Sequence, residues 1–188
     1  MLVVDSLNHR IQKFSQNGEF LSKFGEFGSG QGQLDTPWGI NLDKDGNVYV
    51  ADWRNDRIQK FSPDGVPILQ IGSSGSGDGQ LTRPSGVAVD SEGYVYVADW
   101  GNDRVQVYDN LGSYVGQFNG DCHGYSKWAE ARMASDPEGM SAERAVVTDF
   151  TIERVFFQPT TVRIDDQDRI LVVDTGRHRI QIYEKQYN

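Results

Sequence analysis

The sequence has a single cysteine, an excess of acidic over basic residues and no long apolar run, and each of these features excludes a class of protein. Cys122 is the single cysteine, so an internal disulfide is excluded and cysteine usage does not indicate a redox compartment. The 18 Lys and Arg residues are outnumbered by 27 Asp and Glu. The resulting net charge of −9 disfavours nucleic acid and anionic membranes as partners.

The start of the chain lacks targeting features. It has neither the positive charge nor the apolar stretch of a signal peptide, and no apolar stretch reaches the roughly 18 residues of a transmembrane segment. Met1 stands at the edge of a predicted strand in mid-repeat, so we expect a truncated start with any targeting signal upstream. No compartment is predicted.

Four near-copies of one segment dominate what the sequence does contain. The repeated aspartates lie 47, 47 and 75 residues apart. Glycine is abundant at 21 residues, and β-branched and aromatic residues cluster in short runs, which is typical of an all-β protein. A period of this length built from short strands predicts a radial or solenoid array. The repeated aspartates are Asp5, Asp52, Asp99 and Asp174.

Each complete repeat predicts four antiparallel strands. A short strand follows Pro37 or Pro84, an Asp-Gly or Glu-Gly turn follows it, and a Val-Tyr-Val-Ala-Asp run forms the second strand. A four-residue loop leads to the Arg-Ile/Val-Gln strand, and a further turn leads to the outer strand. Four antiparallel strands per repeat make a propeller blade.

The motif from the proline to the Arg-Ile/Val-Gln strand resembles the NHL-repeat family of bacterial type. The resemblance covers all of the chain except roughly 119–155 and implies a β-propeller, commonly six-bladed. We therefore predict a single partial or complete propeller domain over 1–188. The predicted repeats are 1–33, 34–80, 81–118 and 156–188.

The predicted strands do not complete a ring. The first unit lacks its inner strand and the last lacks its outer strand, which leaves 14 strands, or about three and a half blades. A propeller needs about four blades to close. Three interpretations remain: the chain is the C-terminal part of a longer propeller, which we favour, or it self-associates to complete the ring, or it stands open.

An insertion of 28 residues lengthens the last interval. It falls within residues 119–155 and predicts a small helical insertion, with helices over 126–134 and 136–147. Asp136 suits an N-cap and Pro137 the first helical position. We expect the segment to rest over one face of the propeller as a packed ornament, or alternatively as a lid.

The Asp and Arg of each repeat recur five residues apart, which favours a structural role in the loop between them. The residue before each Arg supplies a weak candidate for a metal ligand, since imidazole and carboxylate bind divalent ions. The pairs are Asp5/Arg10, Asp52/Arg57, Asp99/Arg104 and Asp174/Arg179, and the weak metal candidates are His9, Asp56, Asp103 and His178.

Three tryptophans are the strongest candidates for binding. Trp38 follows a repeat proline, Trp53 and Trp100 follow repeat aspartates, and all three are predicted on one face. Tryptophan anchors interfaces because it combines a large apolar surface with a polar tip. Arg54 and His178 lie in loops on the same face and complete the candidate binding set.

These observations predict a non-catalytic binding or scaffold propeller that presents one face to a protein or peptide. No catalytic residues, metal or cofactor are predicted. The alternative is a metal-assisted propeller enzyme of amidating-lyase or lactonase type. The lyase resemblance implies histidines after the repeat proline, and Trp38, Ser85 and Thr160 stand there instead.

Overall fold

The computed structural model describes residues 1–120, 135 and 154–185. Within them, four antiparallel sheets follow one another along the chain, each a meander, and we call these sheets blades 1 to 4. Blade 1 consists of β1 (Leu2–Asp5), β2 (Arg10–Phe14) and β3 (Phe20–Phe24). Blade 2 consists of β4 (Pro37–Leu42), β5 (Val48–Asp52), β6 (Arg57–Phe61) and β7 (Pro67–Ile71).

The second half repeats this arrangement. A short parallel pair, β8 (Ser73–Ser74) and β9 (Gln80–Leu81), links blades 2 and 3. Blade 3 consists of β10 (Pro84–Val89), β11 (Val95–Asp99), β12 (Arg104–Tyr108) and β13 (Tyr114–Phe118). Blade 4 consists of β14 (Pro159–Ile164), β15 (Ile170–Asp174) and β16 (Arg179–Tyr183).

This architecture confirms the predicted all-β class and the four-stranded NHL-type blade. Strand limits differ slightly from the expected ones: β14 begins at Pro159, two residues before the predicted start, and the outer strands of blades 1 to 3 begin one residue later than predicted. The reason is the same in the three outer strands, because the backbone of the residue before each strand closes the preceding turn. Examples are the bonds from Ser15 N–H to Glu19 O and from Ser62 N–H to Val66 O, both 2.8 Å.

The apolar core lies between blades rather than within them. Ala51 and Ile58 of blade 2 pack in one buried cluster with Val87 and Val97 of blade 3. Full burial of a side chain as large as valine or isoleucine stabilises a fold by about 1.5–3 kcal/mol. The alternating side chains of β5 and β11 therefore contact both neighbouring blades, which explains the nearly continuous apolar runs of these two strands.

The inner strands approach one another closely at glycine. A Cβ added at Gly86 of β10 would lie 2.8 Å from Thr161 Cα, and one added at Gly39 of β4 would lie 2.6 Å from Ser85 O. Backbone atoms cannot yield to such contacts. The glycine two residues after the repeat proline thus sets the spacing of the blades.

The two end blades expose apolar surface. Ile180 and Ile182 of blade 4 are 62% and 56% exposed, whereas Ile58 and Val105, which occupy the position of Ile180 in blades 2 and 3, are fully buried. At the other end Met1 is 69% exposed. Among the described strands, none forms a further blade against these faces, and self-association through them stays a prediction.

The predicted insertion and its two helices fall almost entirely outside the described residues. Within the described ranges, the complete helical elements are single 3-10 turns. The described residues also contain no helix long and apolar enough to cross a membrane.

Candidate functional site

One edge of every blade carries the same turn. A 3-10 turn connects the strand that ends at the repeat aspartate with the strand that begins at the repeat arginine, and the residue after the turn adopts a left-handed conformation with φ of 53°. The inner strand starts on this same edge, because Pro37 pairs with Asp52 and Pro84 with Asp99. Loops from adjacent blades are therefore brought side by side on what we call the loop face.

The repeat aspartate organises the loop face from a fully buried position. One oxygen of Asp52 accepts a hydrogen bond from the Asp35 N–H at 2.7 Å. The other accepts from Asn55 Nδ2 at 2.9 Å and from Arg57 Nε at 2.8 Å. Arg57 also donates to the carbonyl oxygen of Gln33 at 2.9 Å. The Asp–Arg pair thus ties the glycine-rich link between blades to the blade that follows it.

Blade 3 repeats this network. Blade 4 keeps the bonds from the link N–H and the arginine but has Arg177 at the asparagine position, and blade 1 shows a reduced form. The carboxylates of Asp99 and Asp174 are fully buried like that of Asp52, whereas Asp5 and Arg10 are partly exposed. The guanidinium of Arg10 and the side-chain amide of Asn8 hold the pKa of Asp5 below its usual value. The remaining Nε–Oδ2 distances are 2.8 Å for Asp5/Arg10, 2.8 Å for Asp99/Arg104 and 2.7 Å for Asp174/Arg179.

The weak metal candidates lie in separate junctions. The candidates of blades 1, 2 and 3 each accept a hydrogen bond from the backbone N–H of the residue before the next blade's proline. Each bond therefore links one blade to the next. Within the described ranges, no group of three or more His, Cys, Asp or Glu side chains is close enough to hold a metal. The bonds are Thr36 N–H to His9 Nδ1 at 3.0 Å, Arg83 N–H to Asp56 Oδ1 at 2.7 Å and Gln158 N–H to Asp103 Oδ1 at 2.7 Å, and His178 is exposed.

The three candidate tryptophans form one continuous group, which we call the Trp row. The ring centroids of Trp38 and Trp53 are 5.5 Å apart in an edge-to-face arrangement. Those of Trp53 and Trp100 are 6.4 Å apart. Trp38 is 55% exposed. The row crosses from blade 2 to blade 3, so residues 62 positions apart present a single aromatic surface.

Two guanidinium groups flank the row. Arg83 Cζ lies 5.0 Å from the ring centroid of Trp53, and Arg54 Cζ lies 6.0 Å from it. Both arginines are exposed. Among the ion pairs of the described residues, neither arginine takes part in one. The structure therefore places Arg54 beside Trp53, whereas His178 lies in the loop of blade 4.

Arg83 escaped the sequence-based selection. The sequence feature that could have indicated it is its position directly before a repeat proline, because an arginine stands there in place of the Thr36 and Gln158 of other blades. Its backbone N–H is held by Asp56 and its φ is 51°. This left-handed conformation fixes the direction in which the side chain leaves the loop, and that direction leads over Trp53.

The residue after each repeat proline differs from blade to blade in burial. Trp38 is exposed, whereas Ser85 is 2% exposed and donates its hydroxyl to Pro159 O at 3.0 Å. The Thr160 and Thr175 hydroxyl oxygens are 2.6 Å apart. Only Trp38 of the three offers a large accessible side chain to a ligand.

The opposite face carries ion pairs that join blades. Lys185, which follows blade 4, contacts Asp90 of blade 3 at 2.5 Å. Burial disfavours the charged form of Lys185, but the neighbouring carboxylates outweigh it and raise its pKa. Tyr96 donates to the same Asp90 at 3.0 Å, and burial raises its pKa. These groups satisfy one another and serve the junction between blades 3 and 4.

Fold and loop geometry together define a β-propeller repeat protein. Family models agree: the NHL repeat matches residues 81–108 and 156–183, and the SMP-30/Gluconolactonase/LRE-like region matches residues 1–76. Residues 81–108 and 156–183 are thus NHL repeats within a chain of propeller blades. No curated protein has a sequence that matches it.

Solved structures with the same fold include a lyase, a calcium-binding protein and a protein of unknown function. Virginiamycin B lyase from Staphylococcus aureus superimposes with a TM-score of 0.57 and 12% identity, over 97% of this chain and 51% of that one. A protein of unknown function from Bacteroides thetaiotaomicron gives 0.62 and 22%, over 97% and 43%. The calcium-binding protein regucalcin from Agrobacterium tumefaciens gives 0.51 and 20%, over 86% and 43%. The chain spans about half the length of the structures it matches.

Proposed function

We propose that the chain is a non-catalytic binding propeller that holds a protein or peptide on the Trp row. The observation that carries this proposal is the joining of Trp38, Trp53 and Trp100 into one surface with consecutive centroid distances of 5.5 and 6.4 Å. Clustered, rigid aromatic side chains are the commonest anchors of protein interfaces, because they bury a large area at low entropic cost.

Burial supports the same assignment. A tryptophan whose role was to seal the seam between blades would be covered, yet Trp38 leaves 55% of its surface in solvent. The repeat itself does not require the residue, since Ser85 and Thr160 occupy the same position in the other blades. Trp38 is therefore free to serve a ligand rather than the fold.

The test is a selection of displayed random 12-residue peptides on the full chain. We expect enriched peptides that lose at least about tenfold in affinity on Trp38→Ala, which removes an exposed anchor. Trp53→Ala/Trp100→Ala is the stronger variant, and circular dichroism must show that it is folded. Peptides that bind the wild type and both folded variants equally would remove the Trp row from consideration.

A metal-assisted propeller enzyme is the second candidate. The match of residues 1–76 to the SMP-30/Gluconolactonase/LRE-like region favours it, as does the fold shared with virginiamycin B lyase. It predicts a stoichiometric divalent metal in the purified chain and hydrolysis of a simple lactone. Elemental analysis together with a lactone assay separates it from the binding proposal.

A further inference from the structure

Around the Trp row, the described residues leave several hydrogen-bond donors without acceptors. Arg54 and Arg83 present guanidinium groups with five N–H donors each, and the described residues supply no carboxylate partner for either. The Trp53 Nε1–H is buried with no acceptor. A donor left without a partner in this way is unusual in a folded protein and costs free energy. The described part of the site therefore has fewer hydrogen-bond acceptors than donors.

The nearby carboxylates are already engaged. Asp56 accepts from the Arg83 backbone N–H at 2.7 Å and from the Ser74 hydroxyl at 2.6 Å. Asp52 is fully buried and bonded to Arg57. These anions point into the loops, whereas the two guanidinium groups point out over the ring of Trp53. Among the described residues, the side chains stacked on the exposed side of the row are thus cationic, within a chain of net charge −9.

The spacing of the rings suits an extended peptide. Alternate side chains of an extended strand project from the same side, about 6.6 Å apart for two residues at 3.3 Å each. The consecutive ring centroids are 5.5 and 6.4 Å apart. Successive same-side residues of a bound strand can therefore contact successive indoles, while the carboxylates of the same strand reach the flanking arginines.

Resting on the proposed function, we infer that the Trp row recognises an extended peptide in which apolar or aromatic residues stand beside Asp or Glu. The indoles bury the apolar side chains, and Arg54 and Arg83 pair with the carboxylates. A guanidinium stacked on an aromatic ring retains its edge N–H donors for a carboxylate, so the stack and the ion pair are compatible.

The experiment uses the full chain, peptides from the displayed library described above, and a counterpart of the tightest peptide in which every Asp and Glu is replaced by Asn or Gln. We expect the enriched sequences to combine acidic with apolar residues. Wild type should bind the acidic peptide about tenfold more tightly than its amide counterpart, and added salt should reduce that ratio.

Variants assign the effect to the two arginines. Arg54→Gln and Arg83→Gln should each weaken the acidic peptide about three- to tenfold, and the double variant should lose the discrimination. Lys23→Gln removes the same charge from an exposed position on the outer strand of blade 1, so it is the matched control and should leave both affinities unchanged.

Failures of the two proposals are distinguishable. Enriched peptides without acidic residues, still dependent on Trp38, would overturn the acidic recognition and leave the binding function standing. No peptide dependent on the Trp row would overturn both. Displacement of the acidic peptide by a 12-nucleotide oligothymidine at equal concentration would overturn peptide recognition in favour of a general polyanion site.

Discussion

The substitution Asp52→Asn tests whether the buried repeat aspartate holds the blade junction together. Asp52 is fully buried and accepts four hydrogen bonds, including one from Arg57 Nε at 2.8 Å. Asparagine of nearly equal size removes the negative charge and turns an N–H group toward donors. The Arg57 guanidinium, with its side chain only 7% exposed, is left without its counter-charge. Breaking a buried ion pair in this way costs about 3–5 kcal/mol.

Asp5→Asn is the matched control, because it makes the same chemical change at the same repeat position. The side chains of Arg10 and Asp5 are 31% and 20% exposed, so water solvates the Arg10 guanidinium that the substitution leaves unpaired. An exposed pair is worth at most about 1 kcal/mol. Urea unfolding followed by circular dichroism gives the two free-energy changes, and hydrogen exchange of residues 28–34 reads out the link that Arg57 holds. Equal losses for the two variants, or a loss below about 1 kcal/mol for Asp52→Asn, would refute the reasoning.

Three further predictions concern blade junctions and acid stability. His9→Asp should preserve urea stability and His9→Leu should lower it by about 1–2 kcal/mol, because only the former retains an acceptor for the Thr36 N–H. Gly86→Ala should lower the melting temperature markedly, since its Cβ would meet backbone at 2.8 Å, whereas Gly116→Ala, with nothing within 4 Å, should leave it nearly unchanged. Burial acts to raise the pKa of Asp43, but hydrogen bonds from Asn47 in the same turn and the ammonium of Lys60 outweigh it and lower the pKa. The stability from this group is therefore present above its unfolded pKa and is lost as pH falls through the folded value. Acid titrations of unfolding should show a smaller loss below about pH 4 for Asp43→Asn than for wild type, and identical titrations would refute the assignment.

The blades were predictable from sequence because every level of the repeat agrees. Proline before the inner strand, glycine in the turns and alternating apolar residues all specify the same antiparallel meander. The internal repetition adds a further constraint, since one assignment of strands and turns must fit the repeats that contain Asp52, Asp99 and Asp174 at once. A pattern satisfied in several copies leaves few alternative folds.

The loop face was only partly predictable. The tryptophans stood out by residue type, and the repeat placed them on one face, but no spacing rule indicates that Trp53 and Trp100 from different blades lie 6.4 Å apart. Arg83 was missed because a residue before proline is normally extended, whereas here φ is 51°. Its conformation depends on Asp56 of the preceding blade, which is a contact between repeats and leaves no local signal.

The most direct test of the account is a ¹⁵N-indole correlation spectrum of the full chain during titration with the tightest selected peptide. Each tryptophan contributes one Nε1–H resonance, and single Trp→Phe substitutions assign the four of them. The account predicts that the resonances of Trp38, Trp53 and Trp100 shift together and saturate at one common affinity. Unchanged resonances for these three at saturation, with shifts confined to other parts of the spectrum, would contradict it.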